Sequence, residues 1–125
     1  MRIRIQFILP VVLLLGLLSC SKDKDDAKTN SQLLTAHTWV YNKGASSNPL
    51  DLSNDVITFK TDGTFSRIDY MGQPQSGTWQ LVNNETQLST TEGGVTHVSN
   101  IILLTGNSFK WHDVPFGNYA EMIPK

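Results

Sequence analysis

Ile57-Thr58-Phe59-Lys60-Thr61-Asp62-Gly63-Thr64-Phe65 is the stretch that decides the fold of this chain. Apolar and polar residues alternate before an Asp-Gly pair and resume after it, which is the period of a strand with one covered face. Asp-Gly between two such runs is a strong hairpin signal, because a type I′ turn needs positive φ at both central residues. The stretch predicts two antiparallel strands folded back at Asp62-Gly63, with Ile57 and Phe59 on one face.

Outward from this hairpin the same pattern repeats. Strands are predicted at roughly Thr38–Lys43, Asp55–Thr61, Thr64–Tyr70, Gly77–Val82, Gln87–Thr91, Val95–Leu104, Ser108–Asp113 and Asn118–Ile123. Asn83-Asn84, Gly93-Gly94 and Gly106-Asn107 are compact turn formers between them. Met71–Gln75 and Val114–Gly117 are slightly longer links, and only Gly44–Asn54 is long. Parallel strands need crossovers of a dozen or more residues, so these links dictate an antiparallel meander. Eight such strands leave two open edges unless the sheet closes, and closure into an up-and-down barrel removes both. An open curled sheet or a two-sheet sandwich is the alternative geometry. A short helical turn around Leu33 and Leu34, capped by Asn30 or Ser31, should precede the first strand.

Alternation then nominates an interior of Trp39, Ile57, Phe59, Trp79, Leu81, Leu88, Phe109 and Trp111. Either Phe65 or Ile68 should join them but not both, since three positions along a strand face opposite ways. Val95–Leu104 is apolar on both sides, which suggests a bulge near Ser99-Asn100 or burial of both faces.

The N-terminus has a different character. Arg2 and Arg4 precede an apolar run from Ile5 to Leu18, and Ser19 precedes Cys20. The run holds 14 residues, short of the roughly 20 that a spanning helix needs. A basic start, a short apolar run and a small residue describe a secretory signal peptide over residues 1–19. Cys20 is the only cysteine, and a lone free thiol suits an oxidising exported compartment poorly. Residues 20–30 contain no large apolar side chain and should form a flexible acidic and lysine-bearing tether. Loss of Arg2 and Arg4 leaves eight basic against eleven acidic side chains, a net charge of about −3. That balance argues against nucleic acid and against a polybasic membrane contact.

Three resemblances add to this reading. Leu17-Leu18-Ser19-Cys20 resembles the bacterial lipobox, which implies acylation of Cys20 and a membrane anchor of two or three fatty chains, palmitate among them. Lys22-Asp23 and Asp25-Asp26 resemble the surface-export signal of Bacteroidota lipoproteins, implying an outer-membrane, cell-surface protein, with a periplasm-facing one as second choice. Leu33–Trp39, Ile57–Phe65 and Ser76–Leu81, in this order, resemble the lipocalin-like domain of small exported lipoproteins. His37 replaces the glycine usually found two residues before the first-strand Trp. This resemblance implies an eight-stranded barrel over residues 31–125 and a small hydrophobic ligand at its interior or mouth. Trp39, Phe59, Phe65, Trp79, Phe109 and Trp111 are the candidate contacts, and Gly44–Asn54 would be the lid.

An eight-stranded barrel is just wide enough either to be filled by side chains or to hold one small ligand. Both outcomes stay open for the sequence. A filled barrel would instead serve as an interaction or accessory module for a protein or glycan partner, with an exposed apolar patch near Met71–Gln75 or Val114–Phe116. Arg67 and Asp69 share the face of Phe65, and charged residues in such a place are more often solvated and outward than inward. His37, His97 and His112 have no metal-ligand spacing, and no nucleophile elbow, paired glutamates or phosphate loop is present. The sequence therefore predicts a non-enzyme without catalytic residues, metal or cofactor.

Overall fold

The computed structural model describes residues 27–42, 46, 55–113 and 117–125. One helix, α1 (Asn30–Thr35), leads into β1 (Thr38–Tyr41), β2 (Val56–Phe59), β3 (Thr64–Ile68) and β4 (Pro74–Val82). β5 (Gln87–Glu92), β6 (Val95–Leu104), β7 (Phe109–Asp113) and β8 (Asn118–Pro124) follow. Each strand pairs antiparallel with the next, and β8 returns to β1, so the eight strands form a closed barrel. Closure satisfies the edge amides that an open meander would expose. The signal segment, Cys20 and most of the tether lie outside the described residues, as does the Gly44–Asn54 link apart from Ser46.

The helix is one short piece held by its cap and its packing. Thr29 is the N-cap, in place of the expected Asn30 or Ser31: its hydroxyl accepts from Gln32 N at 3.2 Å, and Gln32 Oε1 accepts from Thr29 N at 2.9 Å. This reciprocal capping box satisfies two amides that a helix start leaves free. Leu34, fully buried, packs into the base of the barrel. The indole Nε1 of the fully buried Trp39 donates to Leu34 O at 2.8 Å, which ties the helix to β1.

The Asp62-Gly63 hairpin has the expected register, with Phe59 opposite Phe65, but a different turn. Only Gly63 has positive φ (83°), and its amide donates to Lys60 O at 3.2 Å. The link is thus a three-residue loop whose last residue is left-handed, not a type I′ turn. Asp62 Oδ1 accepts from the Thr64 amide at 2.9 Å and from its hydroxyl at 2.6 Å, which accounts for the choice. The two-residue Gly93-Gly94 link between paired Glu92 and Val95 does have positive φ at both positions, 58° and 81°.

The β4–β5 link places Asn83, Asn84 and Glu85 at φ of 53°, 55° and 62°. Asn tolerates this region, whereas an L side chain such as Glu costs roughly 1–2 kcal/mol there. Glu85 uses its backbone carbonyl to accept from Asn30 Nδ2 at 3.0 Å, a contact that needs no side chain. Glu85→Gly is therefore expected to raise stability by about 0.5–1 kcal/mol, after the larger unfolded-state entropy of glycine is subtracted. The urea midpoint of unfolding checks it.

Phe65 faces inward (3 % exposed) and Ile68 outward (44 % exposed), which resolves the either-or on β3. The irregularity on β6 falls between Ile101 and Leu103, two residues beyond its expected place. Its effect is to change parity. Before it Val95, His97 and Ser99 border the open cavity and Ile101 packs on the core; after it Leu104 packs on the core, while Ile102 and Leu103 are exposed. The bulge lets Ile101 and Leu104, three positions apart, both reach the core, and leaves Val98, Ile102 and Leu103 exposed on the other face.

Candidate functional site

Alternate strand residues point into the barrel, with a change of parity at the β6 bulge, and the inward rows change chemistry along their length. At the helix end the interior is packed with aromatic rings. Trp39 meets Phe109 edge-on at 5.9 Å, Phe59 meets Trp79 at 5.6 Å and Phe109 at 6.3 Å, and Trp111 stacks on Phe109 at 4.8 Å. Toward the other end the barrel is hollow. A cavity of about 490 Å³ opens there, within the range of small-ligand sites.

The deep wall of this cavity is apolar, formed by Ile57, Phe59, Phe65, Leu88, Phe109 and Met122. Its mouth is polar, with Asp55, Arg67, Glu92 and Asp113 joined by Thr90, His97 and Ser99. Four of the six candidate contacts, Phe59, Phe65, Phe109 and Trp111, line the cavity. Trp39 and Trp79 do not. Trp39 lies in the core beneath, and Trp79 turns its Nε1 to Lys60 O at 3.0 Å.

Arg67 corrects the expectation of an outward charge. It stands opposite Ile57 in the hairpin register, so it points where Ile57 points. Two carboxylates offset the cost of turning it inward. Arg67 Nη2 donates to Glu92 Oε1 at 2.8 Å, and Nη1 lies 3.5 Å from Asp55 Oδ2. Asp69 is also buried, but it serves the β3–β4 turn: its Oδ1 accepts from the amides of Met71 at 2.9 Å and Gln73 at 2.8 Å.

The two aspartates are displaced in opposite directions. Desolvation raises the pKa of Asp55 above 3.8, Arg67 opposes that, and Asp69 and Glu92 add to it. The Gln73 amide is the largest influence on Asp69 and lowers its pKa below 3.8, against some desolvation and with help from Gln75, Met71 and Arg67. The consequences for stability have opposite sign. Asp69 stabilises the fold above its ordinary pKa, and this is lost as pH falls through its lowered value. Asp55 costs stability while ionised, and acidification through its raised value relieves that cost. Relative to wild type, Asp55→Asn should thus lose ground as pH falls toward 4. Asp69→Asn should be destabilised at pH 7 and converge on wild type only in stronger acid. Denaturation midpoints of both variants across pH 2.5–7 check the pair.

The histidines occupy separate places: His37 lies edge-on to Trp39 at 5.6 Å, His97 lines the cavity and His112 packs on Tyr119 at 4.9 Å. Sequence reasoning did not nominate Asp55, Glu92 or Asp113. Each was reachable by alternation, since Asp55 precedes Ile57 by two, Asp113 follows Trp111 by two and Glu92 follows Leu88 by four.

A search of curated proteins gave no match. A family model described as a lipocalin-like domain matches residues 22–111, from the segment ahead of α1 to Trp111 on β7. With a closed eight-stranded antiparallel barrel, a helix at one end and a match over most of its length, this chain belongs to the lipocalin-like domain family.

Proposed function

We propose that the barrel holds one small apolar or amphipathic molecule, taken up through its polar mouth. The observation that carries this reading is the cavity of about 490 Å³, with aromatic and aliphatic side chains in its depth and titratable groups at its rim. A filled barrel would have had no such space. Titration with a polarity-sensitive apolar dye, followed by displacement with a panel of lipids and metabolites, tests it. Ser99 lines the cavity, so Ser99→Phe should fill part of it. Saturable binding weakened at least about tenfold in Ser99→Phe, with an unchanged thermal melt, supports the reading. Binding indifferent to that substitution, or none across the panel, overturns it.

The N-terminal sequence supports a membrane-anchored role for this binding domain. The basic start, the apolar run and Leu17-Leu18-Ser19-Cys20 favour export and acylation of Cys20, and the net negative mature chain offers no polybasic contact with lipid. Wild type should incorporate labelled palmitate and partition into detergent, and Cys20→Ala should do neither. Protease treatment of intact cells distinguishes surface display from a periplasm-facing anchor.

A second reading draws on the β3–β4 link. Ile68, Tyr70 and Met71 are exposed there, Met71 by 64 %. Such a patch suits an accessory module that contacts a protein or glycan. Recovery of one specific partner from native membranes, lost in Met71→Glu, supports it; no recovery counts against it.

A further inference from the structure

The mouth of the cavity is unbalanced in charge. Asp55, Glu92 and Asp113 line it together with one guanidinium, that of Arg67. Arg67 reaches Glu92 and Asp55 but is the partner of both, and among the described residues no cation pairs with Asp113. The imbalance is accompanied by unmet hydrogen bonding. Asp55 Oδ1 and Asp113 Oδ1 are buried without a donor, and Arg67 Nε is buried without an acceptor. The Asp55 side chain is only 6 % exposed, so water reaches it little. A buried polar atom without a partner is costly and is rarely left so without a reason.

All three atoms belong to residues that line the cavity, above its apolar depth. Together they define the complement that would satisfy them: N–H donors and positive charge toward Asp55 and Asp113, and one acceptor toward Arg67 Nε. We propose that the cavity selects amphiphiles with a protonated amine head, next to a hydroxyl or carbonyl oxygen, and an apolar body. The apolar part would lie against Phe59, Phe65 and Leu88. The ammonium would enter between Asp55 and Asp113, and the neighbouring oxygen would accept from Arg67. This inference rests on reading the cavity as a binding site and adds the chemistry of the head group.

Three probes with one tail separate the possibilities: decylamine, decanol and decanoate, each titrated calorimetrically below its micelle concentration at pH 7. Decylamine is expected to bind at least about tenfold more tightly than decanol, with decanoate weakest. In Asp55→Asn/Asp113→Asn the affinity ratio of decylamine to decanol should fall to about one. Equal binding of decylamine and decanol, or a preference for decanoate through Arg67, overturns the amine inference and leaves the cavity as a binding site. Failure of all three probes, together with failure of the apolar dye, removes the binding reading itself.

Discussion

Gly77→Ala is expected to destabilise the barrel by about 3 kcal/mol, the upper part of the range for a forced core insertion. Gly77 lies on β4 between Phe65 on β3 and Glu92 on β5. A methyl group there would collide with the Thr91 carbonyl oxygen and sit 2.8 Å from two atoms of the Phe65 ring. The ring could tilt, but the carbonyl belongs to the backbone of β5 and cannot yield without moving the strand. Phe65 is also part of the deep wall of the cavity, so the displaced ring would be driven into the binding space. In a domain of this size each kcal/mol shifts the melting temperature by roughly 4–8 °C, which gives a fall of roughly 12–24 °C. Gly106→Ala is the control, because no atom lies within 4 Å of the added methyl. A thermal melt in which the two variants behave alike would show that β4 and β5 are not packed this closely around Phe65.

The fold was legible because it is written in short-range signals. Strand period and turn formers carry most of an up-and-down barrel, where neighbours in sequence are neighbours in space. The Phe59–Phe65 register, the inward tryptophans and the eight strands all follow from that order. What failed were details set by single hydrogen bonds. Asp62 chose a three-residue turn through its bonds to Thr64, and Thr29 took the cap because Gln32 could reciprocate. The site was half legible. Phe59, Phe65, Phe109 and Trp111 declare themselves by alternation, yet the same rule places Arg67, Glu92, Asp55 and Asp113 inside. Prior expectation for charged side chains overrode the parity of the strand. Parity prevailed because the charges are inward as a group: Arg67 is held by Glu92 and Asp55, which no single strand reveals. The shifted bulge on β6 belongs to the same class, since the extra residue is absorbed where β7 allows it and not where β6 alone suggests.

Replacement of Trp39 should have the largest effect of any single substitution, because this side chain both fills the base of the barrel and fastens the helix across it. Trp39 is fully buried, touches Phe109 edge-on and carries the 2.8 Å bond to Leu34 O. Trp39→Ala removes an indole from a packed core and is expected to cost about 3–5 kcal/mol. A domain this small holds about 5–15 kcal/mol in all, so the variant should be partly unfolded at 37 °C. Trp39→Phe isolates the second role. It keeps much of the apolar volume but leaves the buried Leu34 carbonyl without its donor, at a cost of about 1–3 kcal/mol. Denaturant titration gives the magnitudes, and hydrogen exchange assigns the cause. In Trp39→Phe the Leu33 amide, bonded to Thr29 O at 2.9 Å, should exchange much faster, while amides of β4 and β5 change little. A helix of six residues is not stable by itself in water, so its order must come from this docking. Uniform loss of protection across helix and strands would instead mean that the ring acts only as core volume, and that Thr29, Gln32 and Leu34 suffice to hold the helix in place.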